Sequence, residues 1–305
     1  MSKLFTALRL VKKSKADFIV ALLQNLSFLF PDKLYLLLLF RCKMGYKLNL
    51  KNPRTFNEKI QWLKLYNRNP LYTKLVDKAA VKEHVAKIIG KDYIIPTLGI
   101  WNNANEIDFD SLPNKFVLKT TNGGGGDVLI CKDKSKLNKE KTINKLNKGL
   151  KKNIYKNCRE WAYKDVKPRI IAEKYMEDEC GELRDYKFFC FDGCVKCLQV
   201  DYDRFIEHHR NIYDTKWNLL PFIIKYPSKK GAVIPKPQNF EKMLGIAESL
   251  SKNIPHVRVD LYNINGDIYF GEMTFYHGSG YEYFEPNEWN FQFGNWLKLP
   301  SRVVK

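Results

Sequence analysis

Two rhythms of apolar residues divide this sequence. In the first part they recur at helical spacing. Val81, Val85, Ile88 and Ile89 fall on roughly one face of a helix predicted over 75–89, which Gly90 then stops. Thr55-Phe56-Asn57-Glu58 has capping-box spacing and opens a helix predicted to run through Tyr66. The lysine-rich stretch 137–152 reads as a surface helix. Strands are predicted at 116–119 and 128–131, on either side of a glycine run. From Arg169 onward the period shortens to two, with strands predicted at 170–175, 185–191, 195–201, 256–263 and 268–275. A single helix, 240–251, interrupts them. The pattern predicts an α+β fold with mostly antiparallel strands and no internal repeat.

The stretch 18–40 is apolar but is broken by Gln24, Asn25, Pro31, Asp32 and Lys33. Neither half reaches the roughly 20 apolar residues a bilayer span needs. Two readings fit: a pair of short helices packed on the body, or a basic monotopic segment on the inner membrane face. No secretory signal is recognisable, so a cytoplasmic protein, peripheral at most, is expected. The formal charge of +19 favours anionic partners such as nucleotides, nucleic acid, acidic polysaccharide or anionic lipid, although the lysines are scattered rather than clustered. Cys190, Cys194 and Cys197 have spacing that suggests zinc. Asp192-Gly193 between them reads as a hairpin turn, which makes reduced thiols on paired strands the better reading.

Chemistry concentrates in two places. Gly123-Gly124-Gly125-Gly126 follows Lys119 at the end of a strand, and a strand resumes at Asp127. Such a loop lets backbone N–H groups approach an anion closely. No Gly-Lys-Ser/Thr follows and no helix begins, so it is neither a Walker A loop nor a dinucleotide fingerprint. Strand, lysine, glycine loop, strand describes a hairpin lid over phosphates. The second place is the pair Val257-Arg258-Val259-Asp260-Leu261 and Gly271-Glu272-Met273-Thr274, joined through Asn265-Gly266-Asp267. Alternation puts Arg258 and Asp260 on one face, and the paired strand can bring Glu272 and Thr274 beside them. Two carboxylates, a hydroxyl and an arginine suit a Mg²⁺–phosphate site; a surface salt-bridge ladder would use the same residues.

In this order, Asp77-Lys78, Lys119 with its glycine loop, Ala172-Glu173-Lys174-Tyr175-Met176 and Arg258-Val259-Asp260 with Glu272 resemble the ATP-grasp enzymes. Residues 53–59, Asp185-Tyr186-Lys187-Phe188-Phe189, and Asp203-Arg204-Phe205 followed by His209-Arg210 are similar to the TupA-like branch. That branch is associated with teichuronopeptide and capsular polysaccharide synthesis. The resemblance covers roughly residues 30–297.

It implies an ATP-grasp fold in which two α+β subdomains enclose the nucleotide behind an N-terminal helical region. The corresponding divisions are 1–70, 71–168 and 169–305. It implies an ATP-dependent ligase with Mg²⁺ or Mn²⁺, joining a carboxylate of an acidic sugar or amino acid to an amine through an acyl phosphate. Lys78 and Lys119 would hold phosphates under Gly123 to Gly126. The backbone of Glu173, Lys174 and Met176 would read adenine, and Glu177 or Glu179 the ribose. Asp260 and Glu272 would ligate metal, with Thr274 where relatives carry asparagine. Arg258 would stabilise transferring charge. Arg204, His209 and Arg210 would read a uronate, unless they form a solvated basic loop. Lys187 and Ser279 complete the substrate candidates.

Two other classes remain. Asp201-Tyr202-Asp203 is the Asp-x-Asp triplet of metal-dependent glycosyltransferases, but that reading leaves the glycine loop and the Arg258–Glu272 hairpin unused. A basic nucleic-acid-binding module is the least favoured. Its aromatics Trp161, Tyr163, Trp217 and Tyr226 serve equally well in a core.

Overall fold

The computed structural model describes residues 16–123, 128–177, 183–202, 207–229 and 231–301. Helices come first: α1 over 16–25, α2 at Asp32–Met44, α3 at Phe56–Tyr66, α4 at Pro70–Val76 and α5 at Ala80–Ile89. The expected capping box opens α3. Thr55 Oγ1 accepts from Glu58 N, and Glu58 Oε2 accepts from Thr55 N at 3.0 Å.

The single helix expected over 75–89 is two. Asp77 Oδ1 accepts from Ala79 N and Ala80 N, which ends α4 and restarts the helix one turn later. Arg169 holds the other Asp77 oxygen at 3.0 Å. Lys78 therefore stands in the break, where its backbone N donates to Thr121 O.

Strands β1 (Thr97–Trp101), β2 (Phe116–Thr120), β3 (Leu129–Cys131) and β4 (Ile170–Lys174) form an antiparallel sheet in the order β1-β4-β2-β3. Helix α6 (Lys139–Leu150) covers it. Leu146 packs with Phe116, Leu118, Ile170 and Ala172 in a core of their own. The short α7 (Ile154–Cys158) follows.

The larger sheet contains β5 (Asp185–Phe191), β6 (Cys194–Tyr202), β7 (His209–Tyr213), β9 (Val257–Ile264) and β10 (Asp267–Thr274), antiparallel in the order β10-β9-β5-β6-β7. Between β7 and β9 run β8 (Ile223–Ile224), which pairs with β11 (Phe284–Glu285), and α8 (Phe240–Ser251). Helix α9 (Glu288–Trp296) closes the chain against α3, where Lys59 Nζ donates to Gly294 O and Leu297 O at 2.7 and 2.8 Å.

The apolar side chains divide between two cores. Leu75, Val76, Val81 and Val85 belong to the larger core, and β4 belongs to the smaller sheet. The cause is pairing: β4 hydrogen-bonds with β1 and β2, whereas α4 and α5 face the five-stranded sheet side.

Candidate active site

The β9–β10 hairpin turns at Asn265 and Gly266, both with positive φ. Its register sets Glu272 opposite Asp260 and Thr274 opposite Arg258, with a bulge at Gly271. A Cβ at Gly271 would lie 2.9 Å from the Asp260 carbonyl, so the close approach of the two strands requires glycine there. On the other side, β5 places Lys187 opposite Asp260.

Alternation then gathers these side chains. The Arg258 guanidinium grips Asp260 through two bonds of 2.7 Å and reaches Thr274 Oγ1 at 3.1 Å and Glu272 Oε1 at 3.4 Å. Lys187 Nζ donates to Asp260 Oδ2 at 3.0 Å and also contacts Asp185. Burial alone would lower the Arg258 pKa, but the Asp260 and Glu272 carboxylates reverse this and hold it above its ordinary value.

The remaining Arg258 nitrogen meets His277 Nδ1 at 2.8 Å. Arginine only donates, so Nδ1 accepts and the ring proton resides on Nε2, facing Glu282 Oε2 at 3.0 Å. Burial lowers the His277 pKa and keeps the ring neutral.

Lys78 spans the cleft. Its Nζ donates to Gly123 O at 2.8 Å and lies 3.5 Å from Glu272 Oε2. Although burial opposes it, the cations Lys78, Arg258, Lys187 and Lys119 push Glu272 down to about 2, so this carboxylate is ionised at neutral pH. Deeper on the small-sheet side, Glu173 sits between two lysines, with Lys119 and Lys82 each at 2.5 Å from one of its oxygens. Burial disfavours its charge, but both lysines outweigh burial and hold Glu173 below the usual carboxylate range.

Among the expected residues, Lys78, Lys119, Gly123, Glu173, Lys187, Arg258, Asp260, Glu272 and Thr274 come together at these two charge clusters. Gly124, Gly125, Gly126, Glu179 and Arg204 lie outside the described residues, as does Asp203. Lys174 donates its backbone N–H to Pro96 O and exposes its side chain, and Met176 follows it on an irregular segment. Exposed Glu177 pairs with Lys115 at 2.6 Å.

Two placements differ from expectation. His209 and Arg210, expected on a strand-to-loop transition or a solvated loop, lie within strand β7 beside β6, and both are buried. Arg210 donates to Asp201 Oδ1 and Ile224 O at 2.8 and 2.9 Å and stacks over Tyr226, so its charge is committed inside the protein. Asp201, part of the Asp-x-Asp triplet, accepts from Arg210 and Gln199 in the same network. Ser279 has φ of 55°, and its hydroxyl accepts from Lys64 Nζ at 2.9 Å. Burial pulls Lys64 down to about 8.

Lys82 was not among the expected residues. It lies four residues after Lys78, the spacing that puts two side chains on one helical side, and this was the available signal. His277, which the family resemblance places with Ser279 and Gly280 beside the carboxylate substrate, bonds Arg258, a contact with no such local signature.

Whether the site suits a divalent cation depends on free oxygen atoms. Glu272, with 40% of its side chain exposed, and the adjacent Thr274 hydroxyl face the cleft. Both Asp260 oxygens accept from Arg258, and the residue is nearly inaccessible. One accessible carboxylate with a hydroxyl fits Mg²⁺, which takes most ligands from phosphate and water. Among the described residues no group of three or more His, Cys, Asp or Glu could hold a metal, and Cys190 and Cys197 are buried while Cys194 is exposed.

A model of the TupA-like ATPgrasp family matches residues 58–298. No curated protein matches the chain. Among solved structures, D-alanine–D-alanine ligase from Helicobacter pylori is 16% identical over 81% of this chain and 70% of its own, at TM-score 0.44. D-cycloserine synthetase DcsG is 14% identical over 74% and 70%, at TM-score 0.41. D-alanine–D-alanine ligase from Bacillus anthracis is 15% identical over 66% of this chain, at TM-score 0.37, and the match spans 57% of that ligase's length.

Proposed function

The chain belongs to the TupA-like ATP-grasp family, and from that premise we propose that it is an ATP-dependent carboxylate–amine ligase. The observation that carries the reading is the convergence of Lys78, Lys119 and Arg258 around an accessible, ionised Glu272 beside the start of the glycine loop.

In this reading Lys78 and Lys119 bind the ATP phosphates and the loop from Gly123 to Gly126 closes over them. The backbone at Glu173, Lys174 and Met176 receives adenine, and Glu179 the ribose. Glu272 and Thr274 would hold Mg²⁺ or Mn²⁺, which when bound would neutralise phosphate charge, while Asp260 stands behind them with its oxygens on Arg258. Asp260 has a second task that supports the reading: its bidentate grip and His277 fix the Arg258 guanidinium in one orientation.

A carboxylate is a poor electrophile. Transfer of the γ-phosphoryl group to its oxygen gives an acyl phosphate and ADP. The amine then attacks the carbonyl carbon, and the C–O bond to phosphate breaks, leaving an amide and inorganic phosphate. Arg258 stabilises the charge that builds up in both steps. The likeness to the capsule-associated branch supports a uronic acid of a surface polysaccharide as the carboxylate and an amino acid as the amine. A lipid-linked saccharide acceptor would place the enzyme at the inner membrane face.

The test is product analysis with ATP, Mg²⁺ and panels of sugar acids and amines. ADP and phosphate should form only when both partners are present, and Glu272→Gln should lower the rate by roughly 10² or more while the protein stays folded. Release of AMP and pyrophosphate would exclude the acyl phosphate.

A further inference from the structure

Helix α2 is apolar nearly all round, yet only one of its sides is covered. Tyr35, Leu36, Leu39 and Phe40 are fully buried in the larger core, while Leu34 and Leu38 on the opposite side remain 45% and 38% exposed. A helix apolar on every side is ordinarily enclosed. Helix α1 divides in the same way: Val20 and Leu23 pack on the core, and Phe18, Ile19 and Leu22 face outward. Phe28 and Leu29, in the 3-10 turn Ser27–Leu29 that joins the helices, are 79% and 61% exposed. No other stretch of similar length among the described residues exposes as many large apolar side chains.

Charge decides what covers this face. Lys33 and Arg41 are exposed on α2, and Arg41 continues the Leu34–Leu38 stripe at helical spacing. The first fifteen residues carry Lys3, Arg9, Lys12, Lys13 and Lys15 and no acid. Asp32 is held internally by Arg68 and Arg159, which leaves Asp17 as the exposed acid of α1 and α2 against Lys33 and Arg41. A second copy docked face to face would set like charges against each other, whereas an anionic surface would satisfy them.

We propose that the outward side of α1 and α2 is a docking surface for an anionic lipid bilayer. Phe18, Leu22, Phe28 and Leu34 enter the headgroup–acyl boundary, and Lys33 and Arg41 remain at headgroup level. No helix among the described residues is long and apolar enough to cross a membrane, so the contact is with one face only. This surface is independent of the ligase chemistry, and its test reads binding rather than turnover.

The experiment is flotation of the full chain with vesicles of phosphatidylcholine alone or mixed with phosphatidylglycerol. The protein should float with the anionic vesicles. The Phe28→Glu/Leu34→Glu variant should bind roughly tenfold more weakly. Lys33→Glu/Arg41→Glu, a change of exposed charges that leaves the apolar side intact, should also lose roughly tenfold and the preference for phosphatidylglycerol. Failure of the wild-type chain to float overturns the proposal. So does a wild-type dimer that Phe28→Glu/Leu34→Glu converts to monomer, which would make this face a subunit interface.

Discussion

Glu173 shows how a single carboxylate can organise a site by holding two cations at once. It holds Lys119 and Lys82 together at 2.5 Å each, and two ammonium groups in one cleft need that counter-charge. Glu173→Gln should lower stability by about 2 kcal/mol, because two partly buried lysines lose their shared partner. Lys82→Met should cost less, since Glu173 keeps Lys119. Urea unfolding of the two variants checks the order, and equal losses would mean that Glu173 does not act as the bridge. His256 gives a pH prediction. Its Nδ1 lies 2.9 Å from Cys190 O, Nε2 has no hydrogen-bond partner among the described residues, and burial presses its pKa down to about 3. Above about pH 6.5 both the folded and unfolded chains carry it neutral, and the full stability is present. As pH falls through 6.5 the unfolded state takes up a proton that the folded state refuses, at up to about 1.4 kcal/mol per pH unit until near pH 3. Denaturant midpoints at pH 7 and pH 5 should therefore differ, and His256→Gln should shrink the difference. At this scale the sequence revealed what alternation governs: Arg258, Asp260, Glu272 and Thr274 share a side because strands have period two. It did not reveal that Arg210 bonds Asp201 and Ile224 O, because those partners depend on which strands lie beside β7.

Among the elements, β5 and α8 were legible to the residue, since continuous apolar runs and a clean 3.6 period leave little choice. The missed elements lack such patterns. β1 is a half-exposed edge strand with a bulge between Thr97 and Gly99, and α9 buries chiefly Asn290, Phe293 and Gly294. β7 lies in a basic stretch that reads as a strand-to-loop transition. The α4–α5 break was invisible because an aspartate's bonds to the backbone two and three residues on do not disturb hydrophobic spacing. The break is what aims Lys78 at Gly123. The capping box at α3 permits a direct measurement: Thr55→Ala should cost about 1 kcal/mol, read as a lower urea midpoint with unchanged slope. A cost near zero would mean that Glu58, which also accepts from Arg54 N and Asn49 N, secures the turn without the threonine.

For the whole molecule, the two sheets meet through Lys78, which joins the glycine-loop start to Glu272. Nucleotide binding should thus be felt as stability. ATP with Mg²⁺ should raise the melting temperature, ATP alone much less, and Lys78→Met should lose most of the rise. A shift that survives Lys78→Met would put the phosphates elsewhere. The stretch 53–59 carries the capping box of α3 and is also architectural over long range: Asn57 and Lys59 bind residues more than two hundred positions away, at Glu282 O and the end of α9. This clasp bears on how the chain matures during synthesis. A ribosome that has released Lys174 has delivered every strand of the four-stranded sheet and its separate core, so that unit can close early. The five-stranded sheet must wait for Thr274, and α3 must wait for Trp296. Until then α3, the apolar helices before it and the strands of the larger core have no complete partner, and a nascent chain stalled before α9 would present them to chaperones and proteases.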